Sequence, residues 1–281
     1  MTAYKTASTP STDDIQYVET AETRFAYRRL GPPSDVPLVM AMRFRGTLDH
    51  WDPALLDVLT SQREVIVFDN RGTGRSSGQA PASVDGLAAG LLDFVDALGL
   101  TQIDLLGWSM GGFVVQAAAL QRPTVVRRLI VAGSGPGRMP GLPAMPDKVL
   151  HVMTKPENDD EDLLYLFFPE TQVARDAGSA SLRRIDTRLG HDPSYVSPNT
   201  VKAQLAAITS FGTGVWDRLP ELDMPVLVAN GAQDVMISAF ASYSMSQRLP
   251  NAKVILYSDA GHGFLFQHAG DFGREILTFL A

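Results

Sequence analysis

The pattern of apolar and polar positions divides the chain into short apolar runs that alternate with amphipathic segments. Two alternating stretches at 17–20 and 24–28 flank a turn at 20–23, which predicts a hairpin of two strands. Continuous apolar runs follow at 37–42, 64–69, 103–106 and 128–132, and resume at 225–230 and 254–257. Such runs are typical of strands that are buried on both faces of a parallel sheet.

Segments with helical spacing stand between these strands. Residues 87–98 place their apolar side chains at three- and four-residue intervals, on one face of a helix. Helical segments are also predicted at 51–59, 112–120, 238–248 and 272–280. This alternation of strand and helix predicts an α/β fold built on a doubly wound, mostly parallel sheet.

The alternation stops between the strands at 128–132 and 225–230. Residues 133–145 contain several Gly and Pro, and stretches with helical spacing and mixed charge continue to about 210 without a buried-strand run. We therefore predict an α/β core formed by residues 1–133 and 216–281, with a helical insertion at 134–215.

Composition narrows the classes of function. The 281 residues are 45% hydrophobic and 20% charged, which suits a globular enzyme, and a net charge of −7 argues against nucleic acid as a partner. The absence of cysteine excludes disulfides and thiolate chemistry, and the five histidines show no metal-ligand spacing, so no metal or cofactor is expected. No signal peptide or membrane span is apparent, so we expect no membrane partner and a cytoplasmic location.

One motif carries a specific chemistry. The pentapeptide at 107–111 reads Gly-Trp-Ser-Met-Gly and lies directly between a predicted strand and a predicted helix. This is the context of a G-x-S-x-G nucleophile elbow, in which the serine occupies a tight turn at a helix N-terminus. The sequence therefore predicts Ser109 as a nucleophile, in preference to a chance Gly/Ser turn.

A serine nucleophile needs a general base and a group that orients the base. Asp234 and His262 follow the last two predicted strands, in the order serine, acid, histidine that this architecture requires. Each residue alone would suit a helix cap or a surface loop, but the ordered set predicts a triad. His268 is a rival base, placed further on, in or beside the final helix.

At these residues the chain resembles the α/β-hydrolase superfamily, over about 37–133 and 224–281. Residues 68–76 also resemble the family's D-x-R-G-x-G-x-S loop. A dinucleotide-binding interpretation of these glycines fails, because Ser77 replaces the third glycine and no helix is predicted to start in the loop. The resemblance implies that the insertion is a cap over the site.

The chain departs from the family after its first core strand. The family has His-Gly there, followed by a residue whose N–H helps to form the oxyanion hole; here the residues are Met42, Arg43 and Phe44. The resemblance implies Phe44 and Met110 as the backbone donors. Two interpretations of the arginines stay open. Arg43 or Arg45 binds a substrate carboxylate, or both face solvent or a structural carboxylate such as Asp49.

The predicted activity is hydrolysis of a small carboxylic ester or lactone through an acyl-enzyme on Ser109, with a small molecule as substrate. The sequence makes no prediction of the oligomeric state. Trp108 is expected either to line the substrate pocket or to pack beneath the elbow. The same triad also serves carbon–carbon bond hydrolysis, perhydrolysis and acyl transfer. A non-catalytic ligand-binding protein is the alternative from another class, supported only by the altered His-Gly segment.

Overall fold

The protein is described by a computed structural model that covers residues 14–190, 195–212 and 214–281. Its strands are β1 (Gln16–Glu19), β2 (Arg24–Leu30), β3 (Leu38–Ala41), β4 (Val65–Phe68), β5 (Ile103–Trp108), β6 (Val126–Ala132), β7 (Val226–Gly231) and β8 (Ala252–Tyr257). They form one sheet in the order β1-β2-β4-β3-β5-β6-β7-β8. The hairpin β1–β2 joins β4 in antiparallel pairing, and β3 to β8 are all parallel. The predicted mostly parallel α/β sheet is confirmed.

The helices largely occupy the predicted segments. They are α1 (Pro53–Thr60), α2 (Val84–Ala97), α3 (Met110–Gln121), α4 (Asp147–Met153), α5 (Asp160–Phe167), α6 (Gln172–Leu189), α7 (Pro198–Ser210), α8 (Ala239–Ser246), α9 (Phe264–Gln267) and α10 (Ala269–Leu280). Capping residues set their starts: Asp52 accepts the N–H of Ala54 and begins α1, and Ser83 accepts the N–H of Gly86 and begins α2. None of the helices described is long and apolar enough to cross a membrane.

The apolar runs form the centre of the molecule. Every residue of β3, β4, β5 and β7 is buried, as expected for inner strands of a parallel sheet. Since these strands are parallel, their carboxyl ends meet at one edge of the sheet, where this architecture places ligands.

Helices α4 to α7 lie between β6 and β7, and the described part of this stretch contains no strand. Several contacts attach the stretch to the core, among them one from α6 and one from α7. Arg184 in α6 forms an ion pair of 2.6 Å with the buried Asp52, and the Thr200 hydroxyl in α7 donates to the carbonyl of Gly72 at 2.6 Å. The limits 134–215 for this insertion stay a prediction.

Candidate active site

Ser109 stands alone between β5 and α3, in a strained conformation. Its φ is +58°, and Arg45 is the only other non-glycine residue in the described chain with positive φ. Such a backbone is costly for a residue with a Cβ and is usually found at functional sites. The Ser109 N–H donates to the carbonyl of Ala132, which ties the turn to β6.

The glycines of the motif are required by close backbone contacts. A Cβ at Gly107 would lie 2.2 Å from the carbonyl oxygen of Gly111, and a Cβ at Gly111 would lie 2.1 Å from that of Ala41. Real Cβ atoms do not approach oxygen so closely. The elbow therefore accommodates a Cβ at these positions only if the backbone shifts, and it packs directly against the end of β3.

His262 and Asp234 form a buried pair beyond the ends of β8 and β7. His262 Nδ1 lies 2.7 Å from Asp234 Oδ2, and both side chains are fully buried. Asp234 Oδ1 accepts the backbone N–H groups of Met236 and Ile237 at 2.8 and 2.9 Å. With both oxygens of an ionised carboxylate acting as acceptors, the network assigns the ring proton to Nδ1 and leaves the lone pair on Nε2.

Ser109 and His262 line the same cavity of about 180 Å³. His262 Nε2 is buried and forms no hydrogen bond with Ser109 or with any other described residue. The structure thus places both side chains at one cavity, but no hydrogen bond joins them. Catalytic hydrogen bonds are often long in free enzymes and tighten when substrate binds.

The two predicted oxyanion donors have free N–H groups. No described residue accepts a hydrogen bond from the backbone N–H of Phe44 or of Met110. The Met110 N–H belongs to the first residue of α3, where helix donors have no partner within the helix. Phe44 lines the cavity, whereas the side chain of Met110 packs elsewhere, in the core.

The predicted substrate-binding residues occupy different places. Arg43 lines the cavity, and its guanidinium lies over the rings of Trp108 and Phe167, at 5.6 and 5.1 Å from their centroids. Trp108 is 1% exposed and is absent from the cavity lining. Its indole N–H donates to the carbonyl of His262 at 3.1 Å. Trp108 therefore packs beneath the elbow, and its hydrogen bond helps to hold the backbone of His262 in place.

The structural carboxylate considered for the arginines has other partners. Asp49 pairs with Arg28 and Arg75, and these two guanidinium groups hold the pKa of the buried Asp49 carboxyl below its usual range. Arg45 also lines the cavity, but its guanidinium donates to the carbonyls of Lys155 and Pro156, both at 2.6 Å. Arg45 thus attaches the core to the segment between α4 and α5.

His268, the rival base, lies away from this cavity. Its Nε2 is 3.0 Å from Asp259 Oδ1, and its ring stacks on that of Tyr257 with centroids 4.6 Å apart. It is absent from the cavity lining, which leaves His262 as the histidine beside Ser109 that has a carboxylate partner.

Sequence reasoning missed several cavity residues. His50 lines the cavity, and burial, reinforced by the charge of Arg43, lowers the pKa of this histidine to about 3. The other lining residues are Met153, Asn158, Leu163, Leu166, Phe167 and Met236. Phe167 also accepts the N–H of Gly263 at 2.7 Å, next to His262. Of these residues, only those in the apolar stretch 163–168 belong to a pattern visible in the sequence, and such a stretch is equally consistent with packing of the insertion onto the core.

The glycine-rich loop after β4 supports the turn that carries His50. Asp69 Oδ1 accepts the N–H of Leu48 at 2.7 Å, and Oδ2 accepts that of Arg75 at 2.9 Å. Burial raises the pKa of Asp69 to about 7. No helix begins in this loop. Within the described residues, no group of three or more His, Asp or Glu side chains is placed to hold a metal ion.

Known proteins resemble this chain over most of its length. A family model described as alpha/beta hydrolase fold matches residues 44–269. A putative carbamate hydrolase, RutD, from a Caulobacter species is 27% identical over 256 residues, which cover 89% of this chain and 93% of the relative. An alpha/beta hydrolase fold protein from Chitinophaga pinensis is 37% identical, with a TM-score of 0.87 and coverage of 95% and 96%.

The enol-lactonase from Burkholderia xenovorans shares the fold, with a TM-score of 0.75, 18% identity and coverage of 94% of this chain and 99% of that one. The family model spans well over half of the residues and includes the elbow, the Asp234 loop and the His262 loop. The chain therefore belongs to the α/β-hydrolase fold family and is a hydrolytic enzyme.

Proposed function

We propose that the protein hydrolyses a small carboxylic ester or lactone through an acyl-enzyme on Ser109. One observation carries this proposal: a strained serine shares a cavity with a histidine whose other ring nitrogen is held by a buried carboxylate. Nucleophile, base and orienting group are the three parts that covalent acyl transfer requires.

In the first half of the reaction, His262 Nε2 removes the proton of the Ser109 hydroxyl while Oγ attacks the carbonyl carbon. The carbonyl electron pair moves to oxygen, and the N–H groups of Phe44 and Met110 stabilise the resulting oxyanion. Asp234 stabilises the imidazolium through its 2.7 Å contact with Nδ1.

In the second half, the carbon–oxygen bond to the alcohol breaks, and His262 gives its proton to the departing oxygen. Water then attacks the acyl carbon, with His262 Nε2 taking one of its protons. The Ser109 ester breaks, its oxygen recovers a proton from His262, and the carboxylic acid is released. The reaction consumes one water and regenerates the enzyme.

The cavity favours a small substrate. Its volume of about 180 Å³ lies below the ~300 Å³ at which pockets for drug-sized ligands begin. Apolar side chains supply much of the wall, namely Met153, Leu163, Leu166, Phe167 and Met236. A short acyl chain would bury its carbons there.

A second candidate is hydrolysis of a carbamate. Several relatives, at 27–28% identity, carry the name putative carbamate hydrolase. A carbamate carbonyl is open to attack by the same serine, so the site does not separate the two substrate classes. A panel of esters, lactones, carbamates and 1,3-diketones would separate them by kcat/KM.

Fluorophosphonate labelling tests the nucleophile. The probe should modify Ser109 in the wild type, and Ser109→Ala should fold normally while losing both the adduct and the hydrolysis of short p-nitrophenyl esters. Ser61→Ala is the matched control, because Ser61 is exposed at the end of α1 and should keep both signals. A folded wild-type protein without an adduct on Ser109, or unchanged turnover by Ser109→Ala, would show that the assignment is wrong.

A further inference from the structure

The cavity beside Ser109 is lined by cationic side chains without an anionic one. Arg43 and Arg45 are both in the lining, and no Asp or Glu is among the described residues that form it. The whole chain nevertheless carries a net charge of −7. The concentration of positive charge is therefore a property of this cavity rather than of the protein surface in general.

Arg43 has no counter-ion in the described part of the chain. No carboxylate there lies within ion-pair distance of its guanidinium, whereas the nearby Arg28 and Arg75 both pair with Asp49. Burial, with a smaller contribution from Arg45, lowers the pKa of Arg43 to about 10, so the side chain is still protonated at neutral pH. A charge that is largely removed from water and has no counter-ion is costly, and a bound anion would offset that cost.

The Arg43 guanidinium is held in place, yet not all of its N–H donors have a partner. Nη1 donates to the carbonyl of Phe44 at 2.8 Å, and the group stacks over Phe167 and Trp108. Nε is buried and has no hydrogen-bond partner among the described residues. Because the side chain is already fixed, a ligand that meets these donors loses little additional conformational entropy on binding.

The neighbouring groups suit an anion as well. His50 is neutral at pH 7, and its Nδ1 accepts the N–H of Thr47 at 3.1 Å, so Nε2 carries the ring proton as a donor. Arg45 is engaged with the carbonyls of Lys155 and Pro156. Its charge adds to the positive field, while the uncommitted donors are those of Arg43.

We propose that the substrate carries a carboxylate, which Arg43 binds inside the cavity where Ser109 attacks the scissile carbonyl. This inference rests on the proposed function, since it names the substrate class of the same site. The planar guanidinium fork matches a carboxylate, and the small cavity requires that the carboxylate and the scissile bond belong to one short molecule.

Binding to Ser109→Ala tests the anion site without requiring turnover. In isothermal titration calorimetry, succinate should bind this variant at least tenfold more tightly than the neutral succinamide. Adding Arg43→Gln should weaken succinate binding about 10- to 100-fold, the range expected for a hydrogen bond between charged groups. Arg122→Gln is the charge-matched control, because Arg122 pairs with Asp96 on the protein surface and should leave succinate binding unchanged.

Turnover tests whether the bound carboxylate belongs to the substrate. Two pairs place the charge on different sides of the ester: monomethyl against dimethyl succinate for the acyl side, and acetoxyacetate against acetoxyacetamide for the alcohol side. For one pair, the ratio of kcat/KM for the anionic member to that for the neutral member should fall about 10- to 100-fold in Arg43→Gln. A purely structural role would lower both members together and leave the ratio unchanged.

These experiments distinguish a failure of the carboxylate-substrate proposal from a failure of the proposed hydrolase function. Arg43-dependent succinate binding without any ester hydrolysis or Ser109 labelling would refute the proposed function while keeping the anion site. Ester hydrolysis with both ratios changed less than twofold would refute the carboxylate substrate while keeping the hydrolase, as would succinate binding no tighter than succinamide. If Arg43→Gln does not fold, Arg43→Lys replaces it, and its loss of the planar fork should lower the ratio about threefold to tenfold.

Discussion

The stability of the protein should depend on the protonation of His50. Burial, reinforced by the charge of Arg43, lowers the pKa of His50 to about 3 in the folded protein, while an unfolded chain gives histidine a pKa of about 6.5. Between these values the unfolded chain binds a proton that the folded protein does not. The free energy of unfolding therefore rises with pH in this window, and the contribution of His50 is lost as the pH falls below about 6.5.

The size of the effect follows from the two pKa values. Lowering the pH from 7 to 5 takes an unfolded histidine from mostly neutral to almost fully protonated, while His50 in the folded protein stays neutral. Integrating the linkage relation over this interval gives a loss of about 2 kcal/mol in the free energy of unfolding.

Urea unfolding at pH 5, 6, 7 and 8 measures this loss. In His50→Asn, which keeps a side-chain acceptor for the N–H of Thr47, the decrease between pH 7 and 5 should be about 2 kcal/mol smaller than in the wild type. His151→Asn, at an exposed position of α4, controls for the removal of one histidine. Parallel pH profiles for wild type and His50→Asn would refute the reasoning, because they would show that His50 protonates as readily in the folded protein.

Two further predictions concern the scaffold. Gly111→Ala should lower the free energy of unfolding by about 2–4 kcal/mol, because its Cβ would meet the Ala41 carbonyl at 2.1 Å. Gly270→Ala, also in a first helical turn, should be neutral or slightly stabilising in the same urea assay, because its Cβ would make only an ordinary contact with Arg274 Nη1 at 3.5 Å. Equal stabilities for these two variants would contradict the steric argument. A double-mutant cycle of Asp52→Asn and Arg184→Gln should give a coupling of about 1–3 kcal/mol, because the Asp52 side chain is fully buried and Arg184 contacts both of its oxygens. A coupling below about 0.5 kcal/mol would mean that this contact contributes little to holding α6 on the core.

The sequence predicted the fold and the proposed nucleophile because both depend on local patterns. Apolar runs of four to six residues are typical of inner strands, and the Gly-Trp-Ser-Met-Gly turn is bounded by one of them. The run at 254–257 differs, because it forms the edge strand β8, which is only partly buried. Asp234 and His262 were predicted from their positions after β7 and β8. The parallel pairing of β7 and β8 brings the ends of these neighbouring strands together, and the 2.7 Å contact lies just beyond them.

The residues that line the cavity could not be predicted from sequence patterns, because their contacts join distant parts of the chain. Trp108 adjoins Ser109 in sequence, yet its indole binds the carbonyl of His262, 154 positions away. Arg45 reaches Lys155 across 110 positions. No sequence pattern marked His50 as a cavity residue, since its environment depends on burial and on the direction of the Arg43 side chain. Side-chain directions of this kind are set by tertiary packing rather than by spacing.

The contact between β3 and the elbow bears on how the proposed anion site is positioned relative to the proposed nucleophile. Because the backbone at Ala41 presses on Gly111, the end of β3 has little freedom to move relative to Ser109. The residues that follow Ala41 are therefore presented from a fixed backbone. Phe44 offers its N–H to the proposed chemistry, while the side chain of Arg43 lines the cavity and, with Arg45, makes it positively charged. If Arg43 binds the substrate carboxylate as proposed, a change at position 43 should alter substrate preference while leaving the nucleophile in place.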